Sequence, residues 1–383
     1  MKRWGYWGTA GCLGVFCASA QAIEPMMEPA QQPAMVLTPA RVSQPQSEAP
    51  ASVTVIDRTL IEASGARELY EVLKLVPGMA AVKVDGNVPS VAYHPTQARD
   101  QRRMLVLLDG RSQYQPGLSR VSWNAMPVDI RDVERIEVTR GPAAAAYGAN
   151  AFSAVINIIT RDPRDISKSS VTLQGGNNGI RDAHLVGVHQ LENGALRASV
   201  SSRGDNGYDE PFEGETLPDG KRIDTLNTEW VWDADARNTL TMQAGGSRSR
   251  LERQQEAGVA DIGEYQGDPV QKGERAFVSL QWQHSFSRTH QLQVHTYGQY
   301  NQEITDFDVC YLDPVTGQTG PGGGLFFSQE LRDLYLQNGS DMGATFAAFP
   351  SDADATNRYL TLQGAGAPFC AGSELDIQEV RYD

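Results

Sequence analysis

The sequence predicts a small α+β domain followed by an antiparallel transmembrane β-barrel, and three observations carry that prediction. An export leader opens the chain, residues 51–163 mix helix and strand patterns, and from residue 164 to 383 apolar and polar residues alternate with period two. The whole chain has 383 residues and a formal net charge of −14, which becomes more negative by two once Lys2 and Arg3 leave with the leader. A field of that sign repels phosphates, so nucleic acid is excluded as a partner.

The leader, residues 1–22, reads MKRWGYWGTAGCLGVFCASAQA. Lys2 and Arg3 precede an apolar run that ends in Ala20-Gln21-Ala22, the three-part pattern of a signal peptide cleaved after Ala22. A spanning helix is the alternative, but Gly, Thr and Ser interrupt the run and leave it short of the roughly 20 apolar residues a bilayer requires. Cys12 and Cys17 are lost with the leader, leaving Cys310 and Cys370. In an exported chain such a pair, with no His or Cys at ligand spacing, reads as a disulfide rather than a metal site; two unpaired thiols are the alternative.

Residues 23–50 are rich in Pro, Gln, Ser and Ala and read as a tether that cannot bury enough apolar surface to fold alone. Within it the island Met35-Val36-Leu37-Thr38-Pro39 could lend its backbone to the edge of another protein's sheet, unless it is a chance apolar cluster. From Ser52, SVTVIDRTLI is a strand running into a helix that starts at Asp57. ELYEVLKLVPGM sets Leu69, Val72, Leu73 and Val76 at helical spacing and stops at Pro77-Gly78. RRMLVLLDGRS is a buried strand ending in the turn Asp109-Gly110. Residues 129–135 form a short helix-like link into RIEVTRGPAAAAYGANAFSAVINIITR.

In that stretch Ile136 and Val138 alternate with Arg135 and Glu137, so a strand can bury one face while its charges meet partners on the other. Gly141-Pro142 reverses the chain, the alanines and Tyr147 make a tight turn, and Gly148 ends it where a left-handed conformation is expected. A strand from Ala154 to Thr160 returns.

After Pro163 the alternation sets in. Ala276, Val278, Leu280 and Trp282 alternate with Phe277, Ser279, Gln281 and Gln283; Leu292, Val294, Thr296 and Tyr300 alternate with Gln291, Gln293, His295 and Gln299. Repeated segments with one apolar and one polar face suit a barrel with lipid outside and water inside. A soluble β-sandwich gives the same rhythm, but the leader, the Gln- and Ser-rich polar faces and the hydrophilic stretch 303–372 favour the barrel. The strands flanking that stretch are expected to end near Asn301 and to resume near Ser373. No nucleophile–base set, phosphate loop or zinc spacing emerges, so the sequence assigns no catalytic residue, no metal site and no cofactor.

The runs LVLLDGRSQY and IRDVERIEVTRGPAAAAYGANAFSAVINIITR, preceded by ASVTVIDRTLIEASGARELYEVLKLVPGM, resemble the plug domain of TonB-dependent outer-membrane receptors. The likeness covers residues 35–162 in order. It departs at Ala143 to Ala146, where the family more often has Ser or Thr and Leu, and at Phe152-Ser153-Ala154, where a Gly pair is common. The resemblance implies that Met35 to Pro39 is the TonB box, engaged by TonB and its inner-membrane energising complex. It also implies that Asp109, Gly110, Arg135, Glu137, Arg140, Gly141, Pro142, Tyr147 and Gly148 belong to the plug motif, with the charges paired to each other or to the wall. Outer-membrane lipid surrounds such a protein, and the expected cargo is a scarce solute, a ferric siderophore first and cobalamin, haem or saccharides behind it.

Plugged transporters have about 22 strands, whereas eight strand candidates follow Ser169, so the chain reads as a fragment or a truncated, non-functional product. A non-transporting surface receptor or adhesin that binds a macromolecule through the long loop is the other functional reading.

Overall fold

The computed structural model describes residues 35–38, 44–85, 87–93, 103–115, 120–148, 150–207, 211–212, 215–216, 219–252, 264–287, 290–310, 337 and 370–382. The leader and Pro39 lie outside the described residues.

Two short strands, β1 (Met35–Val36) and β2 (Gln44–Pro45), pair antiparallel ahead of the first domain. The domain begins with β3 (Ser52–Asp57) and α1 (Arg58–Ser64), where the Asp57 carboxylate accepts the Leu60 N–H at 2.8 Å. This cap is why the helix starts at that residue. Helix α2 (Leu69–Val72) is opened by a capping box between Glu68 and Glu71 and continues as a 3₁₀ turn through Leu75. Strands β4 (Met79–Asp85) and β5 (Val88–Tyr93) form a hairpin. Then come β6 (Met104–Leu108), β7 (Arg111–Ser112), β8 (Tyr114–Gln115), β9 (Arg120–Val121), β10 (Val133–Arg140), α3 (Ala144–Tyr147) and β11 (Ala154–Thr160).

The central sheet has the order β3-β10-β11-β6-β7, with β11 parallel to β6 and the other pairs antiparallel. Ile56, Val106, Leu108, Ile136, Val138, Ile156 and Ile158 share a core with Ile61, Leu69, Val72 and Leu73 from the helical segments. The opposite face is also covered: Leu105, Leu107 and Val155 pack with Ala151 and Tyr147. Burial on both faces explains why MLVLL is apolar without alternation. One expectation is corrected here. Residues 129–135 are not wholly helix-like, because a 3₁₀ turn covers only Ile130–Asp132 and β10 begins at Val133.

The second part is an eight-stranded antiparallel meander: β12 (Ser170–Gly175), β13 (Arg181–Leu191), β14 (Gly194–Asp205), β17 (Lys221–Asp235), β18 (Asn238–Glu252), β19 (Glu264–Ser285), β20 (Gln291–Cys310) and β21 (Cys370–Tyr382). A hairpin of β15 (Pro211–Phe212) and β16 (Glu215–Thr216) lies between β14 and β17. Short turns join the strands at one end and longer connections at the other, as in outer-membrane barrels.

Outward positions carry Val200, Leu226, Trp230, Val278, Leu280 and Trp282, all exposed, while inward positions carry Arg197, Ser199, Ser201, Glu229, Ser279 and Gln299, all buried. Trp230, Trp232, Trp282 and Phe286 gather near the short turns, the place of an interfacial aromatic girdle. Among the described residues no helix is long and apolar enough to cross a membrane, and β12 and β21 are not paired with each other.

The ends of the long loop are also corrected. Strand pairing continues past Asn301 to Cys310 and starts at Cys370 rather than near Ser373, which places these two residues opposite each other in register. Backbone pairing needs no apolar face, so polar residues above a membrane can extend a ladder that alternation alone would end. The two cysteine side chains lie outside the described residues.

Candidate functional site: N-terminal segment and plug–wall seam

Glu137 sits in mid-β10, on the face where the sequence reading has charges meet partners. The structure buries it completely. The reason is the N-terminal segment, which lies over that face of the sheet: one Glu137 oxygen, Oε2, accepts the N–H groups of Leu37 and Thr38, both at 2.8 Å, and the Thr38 hydroxyl at 2.7 Å. The other oxygen, Oε1, accepts the Arg135 Nε at 2.9 Å. A buried carboxylate with four donors, one of them a guanidinium, is well compensated. The Tyr147 hydroxyl donates to the Thr38 carbonyl at 2.7 Å, and Val36 and Thr38 are buried. Residues 35–38 are therefore docked on the motif rather than trailing from it, and their backbone groups are already engaged.

Arg140 does something else. Its Nη2 donates to the Ser52 hydroxyl at 2.5 Å, within the same domain and on its exposed side. Of the three charges expected to pair with one another or with the wall, Arg135 pairs with Glu137, whereas Arg140 turns to Ser52 of β3, neither of the other two charges nor the wall. Asp109 and Gly110 both have positive φ, +47° and +80°, as the turn requires. The Asp109 carboxylate accepts the Thr160 N–H at 2.8 Å and faces Gln243 of the wall at 3.3 Å. Gly110 also needs its missing side chain, since a Cβ there would come within 3.2 Å of the His295 ring. Gly141 (φ +98°) and Gly148 (φ +86°) bracket Pro142 and α3.

Apart from Asp109 and Gly110, the contacts between domain and wall come from plug residues the sequence reading did not single out. Arg67 meets Asp182 at 2.9 Å and Asp205 at 3.2 Å; Glu68 pairs with Lys221; Asp129 faces Arg203 at 3.5 Å. Asp132 accepts from His184 Nε2 at 3.0 Å and from the Ser199 hydroxyl at 2.8 Å. Arg120 pairs with Glu303, Gln299 donates to the Ser112 carbonyl at 3.0 Å, and the Arg111 guanidinium lies 3.4 Å from the centroid of the Phe277 ring. Burial pushes the Glu68 carboxyl up, but Lys221 and Arg203 outweigh it and hold the group below its ordinary range. Asp129 behaves alike: burial raises it, and Arg203 with the Arg131 N–H brings it lower. The wall half of this seam had a usable signal, because Arg197, Arg203, Asp205 and Lys221 fall on inward strand positions where a lone charge is expensive. Among the described residues no cluster of three His, Cys, Asp or Glu is placed to hold a metal.

Fold and seam together define a class of protein: an α+β plug seated by polar contacts against the inward face of an outer-membrane β-barrel wall. Residues 45–155 match the model of the TonB-dependent receptor plug domain. The chain is 33% identical over 162 residues to the vitamin B12 transporter BtuB of Vibrio vulnificus, a span of 42% of this chain and 26% of that protein. It is 34% identical over 148 residues to the iron-regulated outer membrane virulence protein of Vibrio cholerae, covering 36% of this chain and 22% of that one. Among solved structures, the alcaligin outer-membrane receptor FauA of Bordetella pertussis superposes with a TM-score of 0.54 at 15% identity, over 74% of this chain and 47% of its own. The copper transporter OprC gives 0.53 at 16% identity, over 67% and 38%. These last two likenesses show the fold alone. Residues 45–155 are a TonB-dependent receptor plug domain, a run of barrel-wall strands follows it, and the chain resides in the outer membrane. It spans 26% to 39% of the length of the first three curated relatives named for B12 transport.

Proposed function

We propose that the protein serves energised uptake of a scarce solute, with Met35 to Pro39 as the segment that TonB pulls. The observation that carries this reading is the docking of residues 35–38 on Glu137. A strand-forming segment is held there by hydrogen bonds that can be exchanged one for one against those of an incoming strand. The seam supports the same reading, because ion pairs and hydrogen bonds can be rearranged without exposing apolar surface. A ferric siderophore is the first cargo to assay. Cobalamin is the second, favoured by the BtuB relatives; both classes are bulky and present at low abundance outside the cell.

The test is Leu37→Pro in the outer membrane. Proline removes the N–H that Glu137 accepts and that strand pairing with TonB would use. Energised uptake of labelled siderophore or cobalamin is expected to vanish while binding at the cell surface persists. Unchanged uptake would remove Met35 to Pro39 from the coupling role. Binding without uptake in the unaltered protein would instead favour a non-transporting receptor.

A further inference from the structure

Beyond the predicted leader the sequence holds two cysteines, Cys310 and Cys370. They form the last register pair of the β20–β21 ladder, Cys310 opposite Cys370, at the end of the wall away from the short turns. Directly opposed residues of an antiparallel pair have Cα atoms about 4.5 or about 5.5 Å apart, depending on the type of pair, and they share a face of the sheet. Both separations fall within the roughly 4.4–6.8 Å that a disulfide spans.

The register that brings the two residues together is weakly specified by the rest of this part of the ladder. Period two puts Ile304 on one face of β20 and Phe307 and Val309 on the other, so no single apolar face sets the pairing. The neighbouring β19–β20 ladder is irregular at the same height, its register shifting between the pairs Gln266 with Asp308 and Val270 with Asp306. A slip of one residue between β20 and β21 would send the two cysteines to opposite faces. A slip of two would set them on a diagonal, about 7–8 Å apart, beyond the reach of an S–S bond. A bond between them therefore selects the observed register and no adjacent one.

We propose that Cys310 and Cys370 form a cross-strand disulfide that fixes the β20–β21 register and closes the neck of the connection 311–369. Forming the S–S bond takes two protons and two electrons from the two thiols. The electrons pass to the disulfide of a periplasmic thiol–disulfide oxidoreductase, which is left as a dithiol. A chain bound for the outer membrane crosses that oxidising compartment before its wall assembles. The bond is thus available while the strands are pairing, and it removes conformational freedom from residues 311–369 before any solute is captured. This role is independent of which solute is taken up and of whether Met35 to Pro39 couples to TonB.

The experiment is peptide mapping of the full chain from outer membranes, its thiols blocked with iodoacetamide under denaturing conditions, with and without prior treatment by a phosphine reductant. Without reductant, nearly all chains are expected to yield one linked pair of peptides containing Cys310 and Cys370; with it, both residues should be alkylated. Native-state hydrogen exchange then compares the oxidised chain with the reduced chain and with C310S/C370S. Protection at residues 302–309 and 371–378 is expected to fall about tenfold or more in both, with β14 and β17 unchanged. Reduction acts on the assembled protein, so it carries the comparison should the variant fail to assemble. Alkylation of both thiols in the unreduced chain, or a link between two copies through either cysteine, would overturn the bond. An intact bond between Cys310 and Cys370 whose reduction leaves protection unchanged would overturn its role in holding the register.

Discussion

Inside the plug, β10 and β11 face each other through Ile136 and Ile158 and through Val138 and Ile156, all fully buried. At its rim the contacts are Arg67 with two aspartates, Glu68 with Lys221, and Asp132 with His184 and Ser199. The first set resists displacement because moving it opens a cavity in a close-packed core. The second set is directional but exchangeable, since water or another polar group can replace each partner at modest net cost. The proposed uptake asks the plug to stay folded while shifting against its wall, and both kinds of contact, in these places, serve that. The segment 35–38 belongs with the rim in chemistry, although it sits on the core sheet.

The largest effect is expected from Ile156→Ala. It should cost about 2–5 kcal/mol by cavity formation and raise the protease sensitivity of the whole plug, measured by pulse proteolysis in urea. A loss confined to the wall contacts would break the division drawn above.

Acid should act on the rim first. Glu68, facing Lys221, Arg203 and Lys83, and Asp129, facing Arg203, Arg131 and His184, both have carboxyl pKa values held below the ordinary range. Groups depressed on folding contribute stability that is present above their unfolded pKa, about 4, and is lost as pH falls through the folded value. Lowering pH from 6 to 3 is therefore expected to lower protection factors, taken against the intrinsic rate at each pH, at residues 66–68 and 129–132 before it lowers them in β10 and β11. Simultaneous loss of protection would contradict that ordering.

The smallest effect is expected from Arg140→Ala, whose hydrogen bond runs to Ser52 rather than to the wall. Stability should change by less than about 0.5 kcal/mol, and leak of a small dye through the outer membrane should not change. A marked rise in leak would place Arg140 among the contacts that seat the plug.

Much of the architecture was legible in the sequence because it follows from local rules. Asp57 announces a helix start, Asp109-Gly110 a tight turn, and alternation the two faces of each wall strand; the structure places all three where the residues put them. The seam was less legible. Arg67 and Asp182 are distant in sequence, and nothing local distinguishes a pairing charge from a solvated one. Glu137 shows the limit most clearly: alternation assigns it to the face where charges meet partners, but only the packing of residues 35–38, about a hundred positions earlier, shows that the partners are backbone N–H groups of that segment.

The division between a fixed core and a releasable segment is tested most directly by native-state hydrogen exchange at Leu37 and Thr38, compared between the unaltered chain and Glu137→Ala. Removing the carboxylate takes away the acceptor of both N–H groups while leaving the Ile136 and Val138 packing in place. Exchange at these two amides is expected to quicken at least tenfold, with protection in β10 and β11 unchanged within about twofold. Unchanged exchange at Leu37 and Thr38, or equal loss of protection across the whole sheet, would contradict the account.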